Sequence, residues 1–371
     1  YHSPRAPCPA RRVHPTRKFD LQATELTDEV PTRGSGDELS AAGHDSSAGL
    51  RVEYRLLTAD SDLPAGLLAA VRFGPNAATT GDSADTLCID VELQPLHTPA
   101  PTELWWANGR VERGQEGLIR YAHDGQHLFG VIEADERDFA GGIEEAATTA
   151  YSALCRFQQQ SAFPHLLRIW NYMDAINEGS GDQERYRRFC VGRVRGLGDA
   201  AAESYPAATA IGRQHRTHRL QVYWLAGRAP GKPIENPRQV SAYRYPRAHG
   251  PVSPSFARAT LTPDGALLIS GTASIVGHVS QHGDDPMAQL DETLRNLATL
   301  AQHPAANDVH TRTHGLFKVY VRDVDQVAAI AERLQQEQPQ NFRHENVVFL
   351  AADICRSELL LEIECLQPRT Q

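Results

Sequence analysis

The stretch Cys355-Arg-Ser-Glu-Leu-Leu-Leu-Glu-Ile-Glu364, near the end of the chain, predicts a strand with two unlike faces. Its period-two alternation places Leu359, Leu361 and Ile363 on one face and Leu360, Glu362 and Glu364 on the other. The apolar face predicts burial, so the opposite face must meet solvent, a partner or a cavity.

Glu362 is the residue of this strand that suggests chemistry. A carboxyl group that faces a closed cavity keeps its proton, because desolvation penalises the anion. A carboxyl group that stays protonated near neutral pH can act as a general acid. These ten residues are also compatible with a solvated strand face that carries Glu362 and Glu364, and the rest of the chain favours the cavity.

The composition indicates a globular protein. The chain has 371 residues, 41% of them hydrophobic and 22% charged, which suits two domains. Its net charge of -9 argues against general binding of nucleic acid or an anionic membrane. No apolar run approaches the roughly 18 residues that span a bilayer, and the N-terminus lacks the apolar core of a secretory signal. The six cysteines form no CxxC pair, which predicts reduced thiols in a cytoplasmic protein.

The order of predicted elements indicates a duplicated α+β unit. Residues 1–48 are rich in Pro, Arg, Ser, Gly and Asp and predict a disordered N-terminal tail. The order helix, strand, helix, strand, strand then occurs twice, on either side of the proline-rich segment Pro230–Pro237. We therefore divide the body into an N-terminal α+β domain (49–228), a connector (229–254) and a C-terminal α+β domain (255–371).

Register in the two halves predicts a ligand-binding face. If Phe317, Val319 and Val321 pack under helices, then Lys318, Tyr320 and Arg322 face away from them, as do Arg168, Trp170 and Tyr172 in the first half. Two such cationic and aromatic faces would enclose a pocket suited to an anionic ring compound. An exposed face that bears Arg and Lys remains the alternative.

Two further segments suggest contact with a ligand. The run Glu235-Asn-Pro-Arg-Gln-Val-Ser-Ala-Tyr-Arg-Tyr-Pro246 alternates aromatic and guanidinium side chains and is costly to order unless it contacts something. Gly271 directly follows the apolar run Leu267–Ser270. A glycine at such a place marks either close approach by a ligand or another chain, or a simple bulge.

The histidines do not predict a metal site. His215 and His218, like His278 and His282, have spacings that occur in zinc sites on helices. Neither pair lies in a helical pattern, and no glutamate accompanies either pair as in an HExxH motif. We interpret these histidines as surface loop residues.

Four segments together resemble the chorismatase family, the enzymes that remove pyruvate from chorismate. They are Arg168-Ile-Trp-Asn-Tyr172, Glu235–Pro246, Ile269-Ser-Gly-Thr-Ala-Ser-Ile-Val-Gly-His278 and Cys355–Glu364. The resemblance covers residues 50–371. It implies an α+β fold of two domains, each related to the trimeric reactive-imine deaminases and packed as a pseudo-trimer, so that we expect a monomer.

The resemblance also implies roles for individual residues. Glu362 matches the proposed acid of the family, and Cys355 matches a cysteine of the members that form 3-hydroxybenzoate. Gly271 matches a small position linked to the choice of product. Register and motif, rather than a match, suggest the remaining substrate-binding residues Arg168, Tyr172, Arg238, Tyr243, Arg258, Tyr320 and Arg322.

The activity implied is conversion of chorismate to 3-hydroxybenzoate and pyruvate, with release of 4-hydroxybenzoate left open. Protonation of the enolpyruvyl methylene requires a dry proton donor and no metal or redox cofactor. Hydrolysis to a dihydroxy-cyclohexadiene carboxylate plus pyruvate, and a module that only binds an aromatic acid, remain alternatives. Imine deamination is disfavoured, because Val347-Val-Phe349 stands where the related deaminases have a substrate-binding arginine.

Overall fold

The computed structural model describes residues 49–57, 62–74, 86–96, 100–198, 204–306, 315–337 and 342–369. The predicted disordered tail, residues 1–48, lies outside the described residues. The described helices are α1 (Ile143–Gln160), α2 (Arg185–Leu197), α3 (Pro286–Ala301) and α4 (Val327–Glu337). None of these four combines the length and the apolar character that crossing a membrane requires.

The described strands form three large sheets and one small hairpin. The first sheet contains β1 (Arg51–Leu56), β2 (Leu67–Phe73), β3 (Leu87–Val91) and β4 (Pro101–Trp106). The second contains β5 (Glu112–Glu116), β6 (Ile119–His123), β7 (His127–Asp135), β8 (His165–Asp174), β9 (Ala207–Arg213) and β10 (Arg219–Gly227). The third contains β11 (Lys232–Ile234), β12 (Ala259–Leu261), β13 (Leu267–Thr272), β16 (Leu316–Val321), β17 (Val347–Ala351) and β18 (Leu361–Gln367). The hairpin consists of β14 (Ile275–Val276) and β15 (Val279–Ser280).

The second and third sheets have matching topologies. Their strand orders are β5-β6-β7-β10-β8-β9 and β11-β12-β13-β18-β16-β17. In each sheet a helix, α2 or α4, connects the two parallel strands at one edge. The predicted duplication, with helix, strand, helix, strand and strand in the same order twice, is confirmed.

The first sheet is a shortened third copy of the same arrangement. Its order β1-β4-β2-β3 corresponds to β7-β10-β8-β9 of the second sheet. Its edge pair, β2 and β3, is parallel, as β8 and β9 are. No α-helix accompanies this sheet in the described residues. Three copies of one strand arrangement in a single chain correspond to the predicted pseudo-trimer.

Helices cover one face of the second and third sheets. Ile143, Ala150 and Leu154 of α1 pack with Ile169 and Trp224 of the second sheet. On the third sheet, α3 and α4 cover Phe317, Val319 and Val321, which the register predicted to lie under helices. The apolar periodicity of each helix thus buries one face against its own sheet.

The opposite faces of the three sheets meet in a central core. It contains Trp105 of the first sheet, Trp170 and Tyr223 of the second, and Tyr320 of the third. The ring of Trp170 stacks on Tyr223 with centroids 4.6 Å apart. The hydroxyls of Tyr172 and Tyr320 lie 3.0 Å apart. The predicted cationic and aromatic faces therefore turn away from the helices and meet.

The last strand begins later than the sequence predicted. Residues 355–360 form a turn and coil, and β18 starts at Leu361. The side chain of Gln289 accepts a hydrogen bond from the Leu360 N–H (2.9 Å) and donates one to the Glu358 carbonyl (2.9 Å). These backbone groups therefore bond to α3 instead of a neighbouring strand, and Leu359 packs into the central core instead of under the helices.

The segment that we predict as the connector contributes to the third sheet. Its residues Lys232–Ile234 form β11, which pairs with β12 in antiparallel register. The segment then continues through short 3₁₀ turns at Ala242–Arg244 and Arg247–His249. The domain boundaries at residues 228 and 255 stay predictions.

The close crossing of α1 and α2 generates a stability prediction. A Cβ atom on Gly192 would overlap the carbonyl oxygen of Glu144 and lie 2.8 Å from the Cβ of Ala147. We expect Gly192→Ala to lower the free energy of unfolding by about 1–3 kcal/mol, because overpacking outweighs the better helix propensity of alanine. Urea denaturation measures this, with the exposed Arg195→Ala as the control, which should change stability by about 0.5 kcal/mol or less. Unchanged stability of Gly192→Ala would contradict this contact.

Candidate functional site

A cavity of about 180 Å³ lies at the junction of the second and third sheets. Its wall is built from β9, α2, the segment that we predict as the connector, the end of β13 and the turn before β18. Its lining includes the side chains of Thr209, Arg193, Tyr245, Arg258, Cys355 and Glu362.

Glu362 lies on β18 in the wall of this cavity, and only 4% of it is exposed. It pairs with Tyr320 of β16, which fixes the position of its backbone in the sheet. Among the described residues, none donates a hydrogen bond to its carboxyl group. Burial and the neighbouring negative charge of Glu364 raise the pKa of Glu362 to about 8. The carboxyl group is therefore protonated at neutral pH.

Glu364, two residues further along β18, has the opposite environment. Its carboxylate accepts hydrogen bonds from Arg168 Nη2 (3.0 Å), Trp170 Nε1 (2.8 Å), Lys318 Nζ (2.9 Å) and Thr209 Oγ1 (2.7 Å). Burial alone would raise the pKa of Glu364, but Lys318 and Arg168 lower it to about 2. Two carboxyl groups on one strand face thus have pKa values far apart, the pattern that separates an acid from a fixed anion.

Two arginines in the cavity wall have spare donor capacity. Arg258 donates through Nη2 to the Val240 carbonyl (2.9 Å) and to the Tyr245 hydroxyl (2.6 Å). Arg193 donates through Nη2 to the Ser255 carbonyl (2.8 Å). The Nε atoms of both arginines are buried and have no hydrogen-bond partner among the described residues. Guanidinium groups in this state can receive a carboxylate.

The cavity wall carries an excess of positive charge. Its cationic side chains are Arg187, Arg193, Arg258 and Arg356, and its other carboxyl groups besides Glu362 are Glu184 and Glu358. With Glu362 protonated, at least two positive charges are left without a matching carboxylate. His249 does not add to them at neutral pH, because burial and the charge of Arg356 lower its pKa to about 4. The wall therefore suits a ligand with two negative charges.

Cys355 and Gly271 both border Glu362. Burial and the proximity of Glu362 raise the pKa of Cys355, so its sulfur stays a neutral thiol. The Gly271 N–H donates to Thr209 Oγ1 (2.9 Å), and a Cβ atom on Gly271 would overlap the Oε1 atom of Glu362. A side chain at position 271 would therefore displace the carboxyl group.

Of the residues suggested by sequence, Glu362, Cys355, Arg258 and Gly271 come together in this cavity. Arg168, Tyr172 and Tyr320 lie behind its wall, in the central core. The predicted cationic faces enclose a cavity of only about 20 Å³ there, enough for one water molecule and too small for a ring compound. Ion pairs and stacked aromatic rings fill the remaining space.

Arg238, Tyr243 and Arg322 lie outside the cavity lining. Arg238 forms an ion pair with Glu292 and donates to Asn296, which ties its segment to α3. Arg322 binds Asp353 (2.5 Å) and donates to the Leu359 carbonyl (2.9 Å). It thereby holds the turn before β18. Tyr243 contacts the ring of Tyr205, with centroids 6.2 Å apart.

The sequence did not single out several lining residues, namely Arg187, Arg193, Thr209, Tyr245, His249 and Arg356. The arginine-rich composition of the helix Arg185–Leu197 was the available signal for Arg187 and Arg193. Nothing in the local pattern distinguished His249, whose Nε2 lies 3.0 Å from Nδ1 of His278. Its position depends on the folding of the segment before β12.

Comparison with known proteins agrees with the motifs. A family model described as chorismatase FkbO/Hyg5-like, N-terminal, matches residues 103–226. A 3-hydroxybenzoate synthase of Streptomyces hygroscopicus is 35% identical over 72% of this chain and 83% of the relative. The chain belongs to the chorismatase family. The predicted resemblance is therefore confirmed.

Further members support this assignment to the chorismatase family. A chorismatase of Streptomyces rapamycinicus is 36% identical over 71% of this chain and 80% of the relative. A chorismatase crystal structure aligns with 86% of this chain and 97% of its own length, with a TM-score of 0.74 and 31% identity. The alignment thus extends over both the second and the third sheet.

The raised pKa of Glu362 predicts how the stability of this chorismatase family member depends on pH. The folded pKa of about 8 lies above the ordinary value of 4.5, so the contribution is complete below pH 4.5 and is lost as pH rises through 8. Relative to Glu362→Gln, the wild type should lose on the order of a few kcal/mol of unfolding free energy between pH 5 and pH 9. Denaturant titrations of both proteins measure this difference. If the unfolding free energies of the wild type and Glu362→Gln instead change in parallel with pH, Glu362 ionises at its ordinary pKa.

Proposed function

We propose that this chain is a lyase that converts chorismate to 3-hydroxybenzoate and pyruvate. The observation that carries the proposal is a protonated, buried Glu362 in a cavity whose wall has at least two unmatched positive charges. Chorismate is a ring dicarboxylate with an enol ether, so it supplies both the two negative charges and the group that an acid can activate. The names of the relatives point to the same reaction.

The proposed reaction begins with transfer of the Glu362 proton to the methylene carbon of the enolpyruvyl group. The carbon–carbon double bond supplies the electron pair for the new C–H bond, and an oxocarbenium ion results. Water can add to the cationic side-chain carbon; the bond between this carbon and the ether oxygen then breaks, which releases pyruvate and leaves a ring with two hydroxyl groups that gives a hydroxybenzoate on loss of water. Alternatively, the neighbouring ring hydroxyl attacks the ring carbon that bears the ether oxygen and loses its proton, and the bond between that ring carbon and the ether oxygen breaks with its electron pair moving to the oxygen, so that pyruvate leaves. Formation of a hydroxybenzoate conserves the atoms of chorismate without oxidation or reduction overall, so the chemistry asks only for a proton donor.

The arginines of the wall are proposed to bind the two carboxylates. Arg193 and Arg258 each have a buried Nε without a partner among the described residues, which makes them the best candidates for charge-assisted hydrogen bonds. Arg258 also lies over the rings of Tyr245 (5.5 Å) and Phe256 (5.2 Å), which fix its guanidinium plane. Positioning and electrostatic stabilisation would then supply much of the rate enhancement.

Three further expectations belong to this proposal. We infer a monomer, because the cavity wall and the acid come from one chain that contains three copies of the sheet. We infer a cytoplasmic location, because the six cysteines of the sequence form no CxxC pair. The share of 4-hydroxybenzoate beside 3-hydroxybenzoate is expected to depend on how the intermediate lies against Cys355 and Gly271.

The proposed function is tested by incubating the purified protein with chorismate and assaying pyruvate. The wild type should release pyruvate well above the uncatalysed background. Glu362→Gln keeps the shape of the side chain and removes the proton, so turnover should fall by roughly 10²–10⁴. Calorimetry should still detect chorismate binding to this variant, because the arginines are unchanged.

The controls separate the alternatives. Glu358→Gln removes a carboxyl group from the same wall, one that accepts a hydrogen bond from the Ser280 hydroxyl (2.7 Å), and should keep most of the activity. Tight binding of chorismate by the wild type without any product would indicate a binding module. Turnover of 2-aminoacrylate would revive imine deamination. A Glu362→Gln variant with more than half of the wild-type rate would assign the proton transfer to another group.

Cys355 is expected to influence which product forms. Its neutral thiol lies in the cavity wall beside the acid, where a compact group would exclude water and favour attack by the ring hydroxyl. Cys355→Ala should leave pyruvate release largely intact and raise the share of the dihydroxy-cyclohexadiene acid or of 4-hydroxybenzoate. Chromatography of the products measures the partition, with total pyruvate as the internal control. Slower turnover with an unchanged partition would reduce Cys355 to a packing residue.

A further inference from the structure

We propose that Glu364 is a positioning residue, whose fixed and buried negative charge keeps Glu362 protonated and ready to donate. This inference rests on the proposed function only in taking Glu362 as the proton donor. Glu364 itself lies outside the lining of the 180 Å³ cavity. Glu364 therefore acts on the reaction through Glu362.

Glu364 is held in place as an anion. Its four hydrogen-bond donors come from β8, β9 and β16, so its carboxylate oxygens have nearly all their acceptor capacity filled. Only 5% of the residue is exposed. Because Glu362 and Glu364 alternate onto the same face of one strand, their Cα atoms lie about 7 Å apart. At this distance the buried charge of Glu364 interacts strongly with the carboxyl group of Glu362.

The charges of the central core are balanced without a contribution from Glu362. Lys318 binds Glu103 (2.8 Å) and Glu364 (2.9 Å), and Arg168 binds Glu364 (3.0 Å). Two cations and two anions already neutralise one another. An ionised Glu362 beside this cluster would be a third buried carboxylate, which is costly without a cation of its own. Protonation of Glu362 is the state that leaves the core neutral.

Thr209 connects this cluster to the cavity wall. Its hydroxyl donates to Glu364 (2.7 Å) and accepts from Arg168 Nη2 (2.5 Å) and from the Gly271 N–H (2.9 Å). A hydroxyl has one donor and two acceptor sites, so all of its capacity is used. The anion therefore also fixes the strand segment at Gly271, against which the Glu362 carboxyl group rests.

Other charged groups face Glu362 from several elements. Arg168 of β8 and Arg258 before β12 both favour its ionised form, and Glu364 of β18 opposes them. Tyr320 of β16 and the thiol of Cys355 are neutral neighbours. The remaining ionisable groups of the wall are Glu184, Tyr186, Arg187, Arg193, Tyr245, His249, Arg356 and Glu358. Glu364 is thus the fixed anion that offsets the two nearby guanidinium groups.

The test is the pH profile of kcat/KM for pyruvate release from chorismate. The wild type should lose activity along an alkaline limb near pH 8, as Glu362 ionises. In Glu364→Gln this limb should move to lower pH by roughly one to two units, the effect of a unit charge about 7 Å away at an effective dielectric constant of about 20. Activity at pH 8 should then fall roughly tenfold, with a much smaller loss on the acidic plateau.

Glu103→Gln is the matched control, because it removes a carboxylate from the same cluster on the far side of Lys318. The alkaline limb of the kcat/KM profile of Glu103→Gln should also move to lower pH, but by a smaller amount than in Glu364→Gln. A second readout, independent of turnover, is the infrared carbonyl band of protonated Glu362, identified by its loss in Glu362→Gln. This band should titrate near pH 8 in the wild type and at lower pH in Glu364→Gln.

The outcomes separate this inference from the proposed function. An alkaline limb and an infrared titration that stay at the wild-type pH in folded Glu364→Gln would overturn the inference, even if Glu362→Gln is inactive. A shift in Glu103→Gln as large as that in Glu364→Gln would also overturn it. If Glu364→Gln does not fold, Glu103→Gln becomes the test. An alkaline limb of kcat/KM and an infrared titration of Glu362 that stay at the wild-type pH in this variant would then overturn the inference. If Glu362→Gln keeps its activity, the proposed proton donor fails, while the infrared titration still tests the effect of Glu364.

Discussion

One buried carboxylate, that of Glu364, joins the three large sheets that the described strands form. Its donors come from the second and third sheets, and its partner Lys318 extends the contact to Glu103 of the first. Burial of such a cluster is favourable only when every charge has a partner in good geometry, and loss of one partner leaves another charge uncompensated. The relative placement of the sheets is therefore constrained at this point, and with it the position of the cavity wall.

The centre of the molecule is closed by packed side chains, whereas the cavity beside it keeps polar groups that can bind a ligand. At the centre, the hydroxyls of Tyr172 and Tyr320 and the stacked ring of Trp170 close the space between the sheets. The cavity lies instead where β9 meets β13, beside groups such as Arg258 that retain free donor capacity. Glu362 lies at the boundary between the closed centre and the cavity. Its strand, β18, is part of the packed core, and its carboxyl group lines the cavity. This position accounts for a proton donor that is desolvated and still within reach of a substrate.

The sequence predicted what depends on local periodicity. The repeated element order and the faces of β16 were recoverable, because strand and helix periods decide which side chains are buried. The start of β18 was not, since it depends on Gln289, about seventy residues away, binding the backbone of the preceding turn. The sequence suggested Tyr243, but Tyr245 is the tyrosine of this segment that lines the cavity. A 3₁₀ turn at Ala242–Arg244 changes the spacing of side chains from two to three and turns Tyr245 inward.

Because the repeats are joined in one chain, corresponding positions in them can carry different residues. Tyr172 and Tyr320 occupy corresponding strands, and their partners across the sheet are Gln221 and Glu362. Gln221 uses its amide to bind the Asp90 carbonyl (2.8 Å) and Glu133 (3.0 Å), a purely architectural role. In an assembly of identical subunits, an acid at this place would appear in every copy, with its cost in stability multiplied. Within a single polypeptide each copy mutates independently, so one repeat can hold a buried, protonated carboxyl group while the corresponding repeat keeps an amide with a structural role.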